Sequence, residues 1–182
     1  MGGHPWYYFT TYQADINAVL QALREQEFRA GRYGSSYLLS QSSSLLREYL
    51  STEEFEKFSN FVNQPRPSAD DLIKAHGSVR AAMEAVLEAS EADGTQSILD
   101  ILHVSEEQNT SSVCPLSDEE LQAIFQTTEP THKMIESILL YESEENSWET
   151  FWDSIERGEG RYIIVYKDGK PVEIFFAGYS FD

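Results

Sequence analysis

The Asp-Gly dipeptide at 168–169 restricts the fold of this chain most, because it separates two short runs of β-branched and aromatic residues. A type I′ turn needs a positive φ angle at both central positions, and Asp-Gly between such runs is the strongest short-range signal of a β-hairpin. A two-residue turn pairs Val165 with Val172 and Ile163 with Ile174. Both faces are then apolar, so we expect the hairpin in the middle of the fold. One face would hold Ile163, Val165, Ile174 and Phe176, and the other Tyr162, Ile164 and Phe175.

A hairpin alone is only marginally stable, so this one needs partner strands. The aromatic segment 6–12 is the best candidate, and the segment 97–104 is the second, although Ser97 with Asp100 could instead open a helix. The sequence therefore predicts an α+β fold with a small, mostly antiparallel sheet that contains the N-terminal strand and the C-terminal hairpin. Strand alternation puts Tyr7, Phe9 and Thr11 on one face, and Trp6, Tyr8, Thr10 and Tyr12 on the other.

Several helices should cover this sheet. Ser51 with Glu54, and Ser117 with Glu120, have the spacing of capping boxes and are flanked by apolar residues. Apolar stripes with a period of 3.6 residues predict further helices after Asp15, Ser78, Thr131 and Ser147. The polar segment 105–115 is predicted to be a loop.

The negative charge is concentrated in the middle of the chain. The formal net charge is −18, and residues 68–160 contain 21 Asp and Glu against 4 Lys and Arg. Residues 1–67 have 7 acids and 6 bases, and residues 161–182 have 3 of each. We expect one domain over 1–182, with 68–160 as an acidic, mainly helical section. Such a field repels nucleic acid and anionic lipid and attracts basic proteins.

The compartment is predicted from what the sequence lacks. Its apolar runs are too short to span a membrane, and its first residues do not have the pattern of a signal peptide. One cysteine, Cys114, cannot form an internal disulfide and is typical of a reducing compartment. We therefore expect a cytoplasmic protein that is not bound to a membrane.

Several segments carry a resemblance: Trp6 to Phe9, Tyr12 to Asn17, Leu20 to Arg24, Phe28 to Tyr33, Gly94 to Ile101, Leu116 to Phe125 and Glu129 to Thr131. They resemble segments of a group of uncharacterised bacterial proteins. The resemblance implies a bacterial cytoplasmic protein. Because the group has no assigned activity, the resemblance implies no catalytic or binding residue.

Candidate nucleophiles and metal ligands are scattered. Cys114 with His103 or His132 would make a nucleophile only if an imidazole lay beside the thiol, and an incidental cysteine is the favoured interpretation. The same residues lack the short spacings of structural zinc sites, and the acidic clusters do not follow the calcium-binding loop pattern. We expect no metal and no cofactor, and the balance is against an enzyme.

The leading hypothesis is a non-enzymatic interaction protein that binds a basic protein partner through an acidic surface. An immunity or antitoxin-like protein would be one instance, since an acidic field speeds association with a basic toxin. The surface would use acids placed opposite the apolar stripes of two predicted helices: Glu84, Glu88, Glu91, Glu149, Asp153 and Glu156.

The alternative is an enzyme or binding protein for a small molecule. An aromatic pocket between sheet and helices would use the tyrosines Tyr8, Tyr12 and Tyr162. Four arginines lie in the one relatively basic region, and they either balance the acidic section within the fold or hold an anionic ligand; intramolecular pairing is the preferred interpretation. These arginines are Arg24, Arg29, Arg32 and Arg47.

Overall fold

The structure is a computed structural model that describes residues 3–34, 46–62, 66–90, 94–140 and 147–181. Its strands are β1 (Pro5–Thr11), β2 (His103–Val104), β3 (Ser112–Pro115), β4 (Gly160–Lys167) and β5 (Lys170–Tyr179). Its α-helices are α1 (Ile16–Arg29), α2 (Thr52–Val62), α3 (Ala69–His76), α4 (Val79–Ser90), α5 (Asp118–Phe125), α6 (His132–Ile135) and α7 (Ser147–Asp153). A 3₁₀ turn occupies Ile98–Asp100, and α6 continues into a π-helical turn at Glu136–Leu140. The predicted α+β class is confirmed.

The sheet is mixed, so the expectation of a mostly antiparallel sheet was wrong. Its strand order is β1-β5-β4-β3-β2. β5 runs antiparallel to both neighbours, whereas β4, β3 and β2 are parallel to one another. β5 therefore opposes the other four described strands. The reason is connectivity, because β3 joins β4 through a long crossover that carries α5, α6 and α7, and such crossovers return the chain parallel.

The hairpin turn is as predicted. Asp168 and Gly169 have φ angles of 52° and 70°, so both central positions adopt the positive φ that a type I′ turn requires. Lys167 pairs with Lys170 on either side of the turn. The predicted pairing of the N-terminal strand with the hairpin is also confirmed, because β1 pairs along β5.

The register beyond the turn was predicted wrongly. Val165 pairs with Glu173 rather than with Val172, because the register shifts by one residue after Tyr166 pairs with Pro171. Val172 is the extra residue of a β-bulge. Proline has no N–H to donate to the ladder and is found in sheets at edges and bulges, so Pro171 accounts for the shift.

The bulge exchanges the two faces of β5. Phe175 now lies opposite Ile163 and shares a core cluster with Val165, whereas Ile174 and Phe176 belong to the cluster on the other side of the sheet. The alternation along β1 is as predicted, because Phe9 packs with the Phe175 cluster and Trp6 with the Phe176 cluster.

The two faces are covered by different helices. On the side that we call the α1 side, α1 packs Val19, Leu20 and Leu23 against the sheet, and α3 and α4 form an outer layer on α1. On the other side, which we call the α7 side, α5, α6 and α7 bury a larger apolar cluster that includes Phe151 and Trp152. The helical layers therefore sandwich the sheet.

Trp6 shows how closely the α1 side is packed near the strands. Its indole lies against Gly160 and Gly178, which pair across β4 and β5. A Cβ atom at Gly160 would lie 2.8 Å from Cη2 of Trp6. Glycine is required here for close approach rather than for its backbone conformation.

The predicted helix starts are confirmed. Ser117 and Glu120 make the reciprocal bonds of a capping box, and so do Ser51 and Glu54. The Asp15 carboxylate accepts from the amide of Ala18. These caps satisfy amides that have no partner within the helix.

One segment differs from expectation, and in another the structure shows both of the alternatives that the sequence left open. The segment 105–115 was expected to be a loop, but it ends in β3, where Ser112, Val113 and Cys114 are buried. The polar residues before β3 hide this short strand. In the segment 97–104 both alternatives occur in turn, because Ser97 caps the 3₁₀ turn and β2 follows it.

Candidate functional site: an acid-rimmed groove and a polar pocket

The predicted interaction acids fall on two separate surfaces. Glu84 and Glu88 are exposed on α4, on the α1 side of the sheet. Glu149 and Asp153 are exposed on α7, on the opposite side, and Glu156 is exposed just beyond that helix. Glu91 lies outside the described residues. The predicted acids therefore do not form one continuous face.

A groove of about 730 Å³ lies between α1 and α4. Its apolar lining includes Met83 and Leu87 of α4 and Leu102, whose side chain is 45 % exposed. Glu84 and Glu88 line the same groove. It therefore combines an apolar lining with three carboxylates and two guanidinium groups, and two of the predicted acids belong to it.

A buried arginine lies at the α1 wall of this groove. Arg24 is 6 % exposed, and it donates to Oε1 of Gln21 at 2.6 Å and to the carbonyl of Leu99 at 3.2 Å. Its Nε is buried without a hydrogen-bond partner. Burial lowers the pKa of Arg24 to about 10, although Asp100 and Glu84 oppose this shift. Arg24 is therefore still cationic at neutral pH.

The three predicted tyrosines lie on the α1 side but do not share one site. Tyr8, Tyr12 and Tyr162 all pack against the cluster under α1. The ring of Tyr162 lies beside Phe176, with a centroid distance of 6.1 Å, and burial raises the pKa of its hydroxyl. Tyr8 lines a cavity.

This cavity, the polar pocket, has a volume of about 250 Å³. Its walls come from the start of β1, the end of α1 and the segment before the 3₁₀ turn. The lining includes Trp6, Tyr8, Glu27, Arg32 and Ser97. Aromatic rings and charged groups therefore meet in a space of small-molecule size.

Glu27 is the buried charge of the polar pocket. Its side chain is 2 % exposed and accepts from Nε of Arg32 at 2.9 Å, from Nη2 of Arg32, and from the Tyr8 hydroxyl at 3.2 Å. A buried carboxylate is tolerated when it is paired and hydrogen-bonded in this way. The Glu27 carboxylate thus holds Arg32 and Tyr8 at the pocket.

The candidate nucleophile is held in the sheet. Cys114 of β3 is buried, and burial raises the pKa of its thiol despite nearby Arg161.

Nη2 of Arg161 donates to both carboxylate oxygens of Glu120, at 2.7 and 2.6 Å. Burial of Glu120 favours its neutral form, but the hydrogen bonds from Arg161 and Ser117 outweigh it and keep the pKa of this carboxyl below its usual range. This arrangement connects α5 to the sheet.

The histidines named with Cys114 have other surroundings. His132 stacks on Phe9, and its Nδ1 lies 2.7 Å from Oε2 of Glu173. His103 is exposed on β2.

Within the described ranges, no group of three or more His, Cys, Asp or Glu side chains is arranged to hold a metal ion. No helix in the part of the chain that the structure describes combines the length and apolar character needed to cross a membrane.

Sequence reasoning did not single out Glu27, and it considered Arg24 only as one of four arginines. Both residues occupy the apolar stripe of α1, at positions four and seven after the buried Leu20. A charged residue at a core position of an amphipathic helix is the signal that could have found them. Intramolecular pairing is seen at Arg29 with Glu25 and at Arg32 with Glu27, although these two acids lie outside the acidic section 68–160.

Comparison of the chain with protein-family models, with curated proteins and with solved structures found no match. The resemblance to the bacterial group therefore stays a prediction.

Proposed function

We propose that this protein is a non-enzymatic interaction protein that binds a basic protein partner at the groove between α1 and α4. The observation that supports this proposal is the combination of an apolar lining with the carboxylates of Glu84 and Glu88. Glu84 pairs with Arg80 at 2.8 Å, whereas Glu88 forms no ion pair among the described residues. A cationic side chain of the partner would have Glu88 as its acceptor.

The occupant that fits is a basic amphipathic helix. Helices bind in grooves through apolar residues spaced at i, i+3, i+4 and i+7. Such residues would contact Met83, Leu87 and Leu102, and the partner's Lys or Arg side chains would lie along α4. A formal net charge of −18 favours a cationic partner over nucleic acid or an anionic membrane.

The acidic field would act mainly on the rate of association. Complementary charge raises the on-rate for a basic partner, so charge reversal at the groove should weaken binding mainly through slower association. An immunity or antitoxin-like role is one instance of this function. A cytoplasmic location belongs to the same proposal, since Cys114 is the one cysteine of the chain.

The test uses charge reversal on the two surfaces. The first variant changes Glu84 and Glu88 to Lys, and the matched control changes Glu149 and Asp153 to Lys, so both alter the net charge equally. The probe is a synthetic amphipathic helix with a Leu stripe and a Lys face, and binding is measured by fluorescence anisotropy at low and physiological salt. We expect the first variant to weaken binding about tenfold or more and the control about threefold or less. Pulldown from the native host with the same variants would then identify the partner.

Equal weakening by both variants would contradict a specific groove, because it would show attraction to net charge alone. A third variant, Leu102→Ser, tests the apolar part of the site, since that side chain is exposed and its replacement should leave the fold intact. If Leu102→Ser binds the probe as the wild type does, the groove is not the docking site.

The polar pocket favours a second function, the binding of a small molecule. Tyr8 and Glu27 line this pocket and are hydrogen-bonded to each other. The polar pocket supports the alternative hypothesis of an aromatic binding pocket, and Tyr8 is the one of the three predicted tyrosines that lines it.

A further inference from the structure

We propose that the polar pocket binds a small planar organic carboxylate, an aromatic acid in the simplest case, independently of the groove between α1 and α4. The two cavities have no lining residue in common. The inference therefore goes beyond the proposed protein interaction, and either one can fail without the other.

The first step concerns an unsatisfied donor. Trp6 lines the pocket and is 6 % exposed, yet its indole Nε1 is buried without a hydrogen-bond partner. Trp152 provides the contrast, because its Nε1 donates to the carbonyl of Leu139 at 2.9 Å. Leaving a buried N–H unpaired costs about 1–3 kcal/mol. The N–H is closed to solvent in this structure, so a ligand with an acceptor oxygen would recover that free energy when the indole turns toward the pocket.

The second step concerns charge. Arg32 lines the pocket and is held on its Glu27 side by two hydrogen bonds. Its side chain is 40 % exposed, whereas that of Glu27 is 2 % exposed. The positive end of this pair is thus the more accessible one, and a guanidinium favours a carboxylate as its partner.

The third step concerns size and shape. At about 30 Å³ per water molecule, a volume of 250 Å³ corresponds to about eight waters, which suits a small metabolite rather than a dinucleotide. Trp6 and Tyr8 both line the space, and the centroids of their rings lie 6.2 Å apart with planes inclined by 37°. Aromatic walls of this kind favour a flat ligand body.

The fourth step concerns rigidity. Gln96 lines the pocket with a φ angle of 55°, which is strained for a residue other than glycine. The neighbouring Thr95 is fully buried and donates its amide and hydroxyl to Oδ1 of Asp100, at 2.6 and 2.7 Å. This network fixes the wall before a ligand arrives, and a preformed wall lowers the entropic cost of binding.

The test is a titration of the full ¹⁵N-labelled chain with benzoate, followed through the indole N–H resonances of the three tryptophans. We expect the Trp6 resonance to move and to saturate with a dissociation constant on the order of millimolar or tighter. The Trp152 resonance, already hydrogen-bonded, should stay in place. Benzamide tests the need for charge and acetate tests the need for a planar body; both should bind at least about tenfold more weakly.

Two arginine variants decide whether the assigned charge is correct. Arg32→Gln should weaken benzoate binding about tenfold or more, and Arg32→Lys should weaken it less because it keeps the charge without the planar fork. Arg29→Gln is the matched control, because Arg29 is similarly exposed on α1 and pairs with Glu25. An unchanged Trp152 resonance in each variant shows that the fold is intact.

Three results would overturn the proposal. One is a Trp6 resonance that does not respond to benzoate at all. Another is binding of benzamide as tight as that of benzoate, which would show that the pocket does not recognise a carboxylate. The last is an equal loss of benzoate binding in Arg29→Gln and Arg32→Gln, which would show that binding depends on net charge and not on Arg32 itself.

Discussion

The two sides of the sheet bury different chemistry. The α7 side is filled by aliphatic and aromatic side chains, and its buried Arg161 is paired with the capping-box residue Glu120. The α1 side buries Arg24 and Glu27 within a helix stripe, and both the groove and the polar pocket lie there. Burial of charged groups costs stability unless they are paired and hydrogen-bonded. Both residues lie beside cavities, so the proposed binding sites are on the α1 side.

The largest expected effects test this difference directly. Phe151 is 1 % exposed on the α7 side, so Phe151→Ala should lower the free energy of unfolding by about 3–5 kcal/mol. Glu27→Gln keeps the shape of a buried side chain and should cost about 1–3 kcal/mol, since it weakens the bonds from Arg32 and Tyr8. Urea denaturation measures both. Glu25→Gln is the control on the exposed face of α1.

A loss in Glu27→Gln as large as that in Phe151→Ala would break the comparison. It would mean that the buried charges of the α1 side are a structural core in their own right. A small loss of stability in Glu27→Gln together with weaker benzoate binding would support the comparison. Glu27 would then contribute more to ligand recognition than to stability.

The sequence predicted the elements whose signals are local. The turn at 168–169 depends on two residues that accept positive φ, and the capping boxes depend on pairs three residues apart, so neighbours in sequence decide them. The bulge at Val172 could not be predicted in the same way. It depends on how β5 fits between β1 and β4, which is a property of the assembled sheet.

The strands β2 and β3 were missed or left open for a related reason. β2 has two residues and β3 has four, so neither is long enough to show alternation. The parallel pairing of β3 with β4 and of β2 with β3 makes the sheet mixed. The candidate site was predicted only in part, because periodicity places Glu84 and Glu88 on an exposed face but cannot show that α1 and α4 leave a groove between them.

The two sides of the sheet also differ in how far their acidic side chains are paired with basic ones. The effect of this difference on stability should be intermediate in size. Arg29 and Arg32 make their closest ion pairs with acids of the first 67 residues, and the contact of Arg29 with Asp70 is longer, at 3.9 Å. Among the described residues, Glu149, Asp153 and Glu156 form no ion pair, whereas Glu84 pairs with Arg80. Repulsion should therefore be greater at the surface of α7.

We expect the melting temperature to rise from low salt to physiological salt, as the Debye length shortens from about 30 Å to about 8 Å. Changing Glu149 and Asp153 to Lys should raise the low-salt melting temperature and make it depend less on salt. The two changes together should raise the free energy of unfolding at low salt by about 1 kcal/mol at most. Changing Glu84 and Glu88 to Lys should do less, because it breaks the pair with Arg80. Differential scanning fluorimetry across a salt series measures this. Salt-independent melting of the wild type would show that the acidic section is neutralised within the fold.

The smallest expected effect is a pH dependence on the α7 side, at His132. The hydrogen bond to Glu173 raises the pKa of this imidazole, and Glu136 adds to the shift, although partial burial opposes it. Phe9 stacks on the ring with a centroid distance of 4.1 Å. A raised folded-state pKa means that the stabilisation is complete below the unfolded value of about 6.5 and is lost as the pH rises through the folded value.

His132→Gln should therefore cost more stability at about pH 6 than at about pH 8.5. The difference should stay below about 1 kcal/mol, because the side chain is 42 % exposed and solvent screens its ion pairs. His103→Gln, an exposed change on β2, is the matched control for the loss of an imidazole. Urea denaturation at the two pH values gives the measurement. If His132→Gln and wild type differ equally at both, the imidazole contributes through its stacking on Phe9, and the α7 side holds no titrating contact near neutral pH at this position.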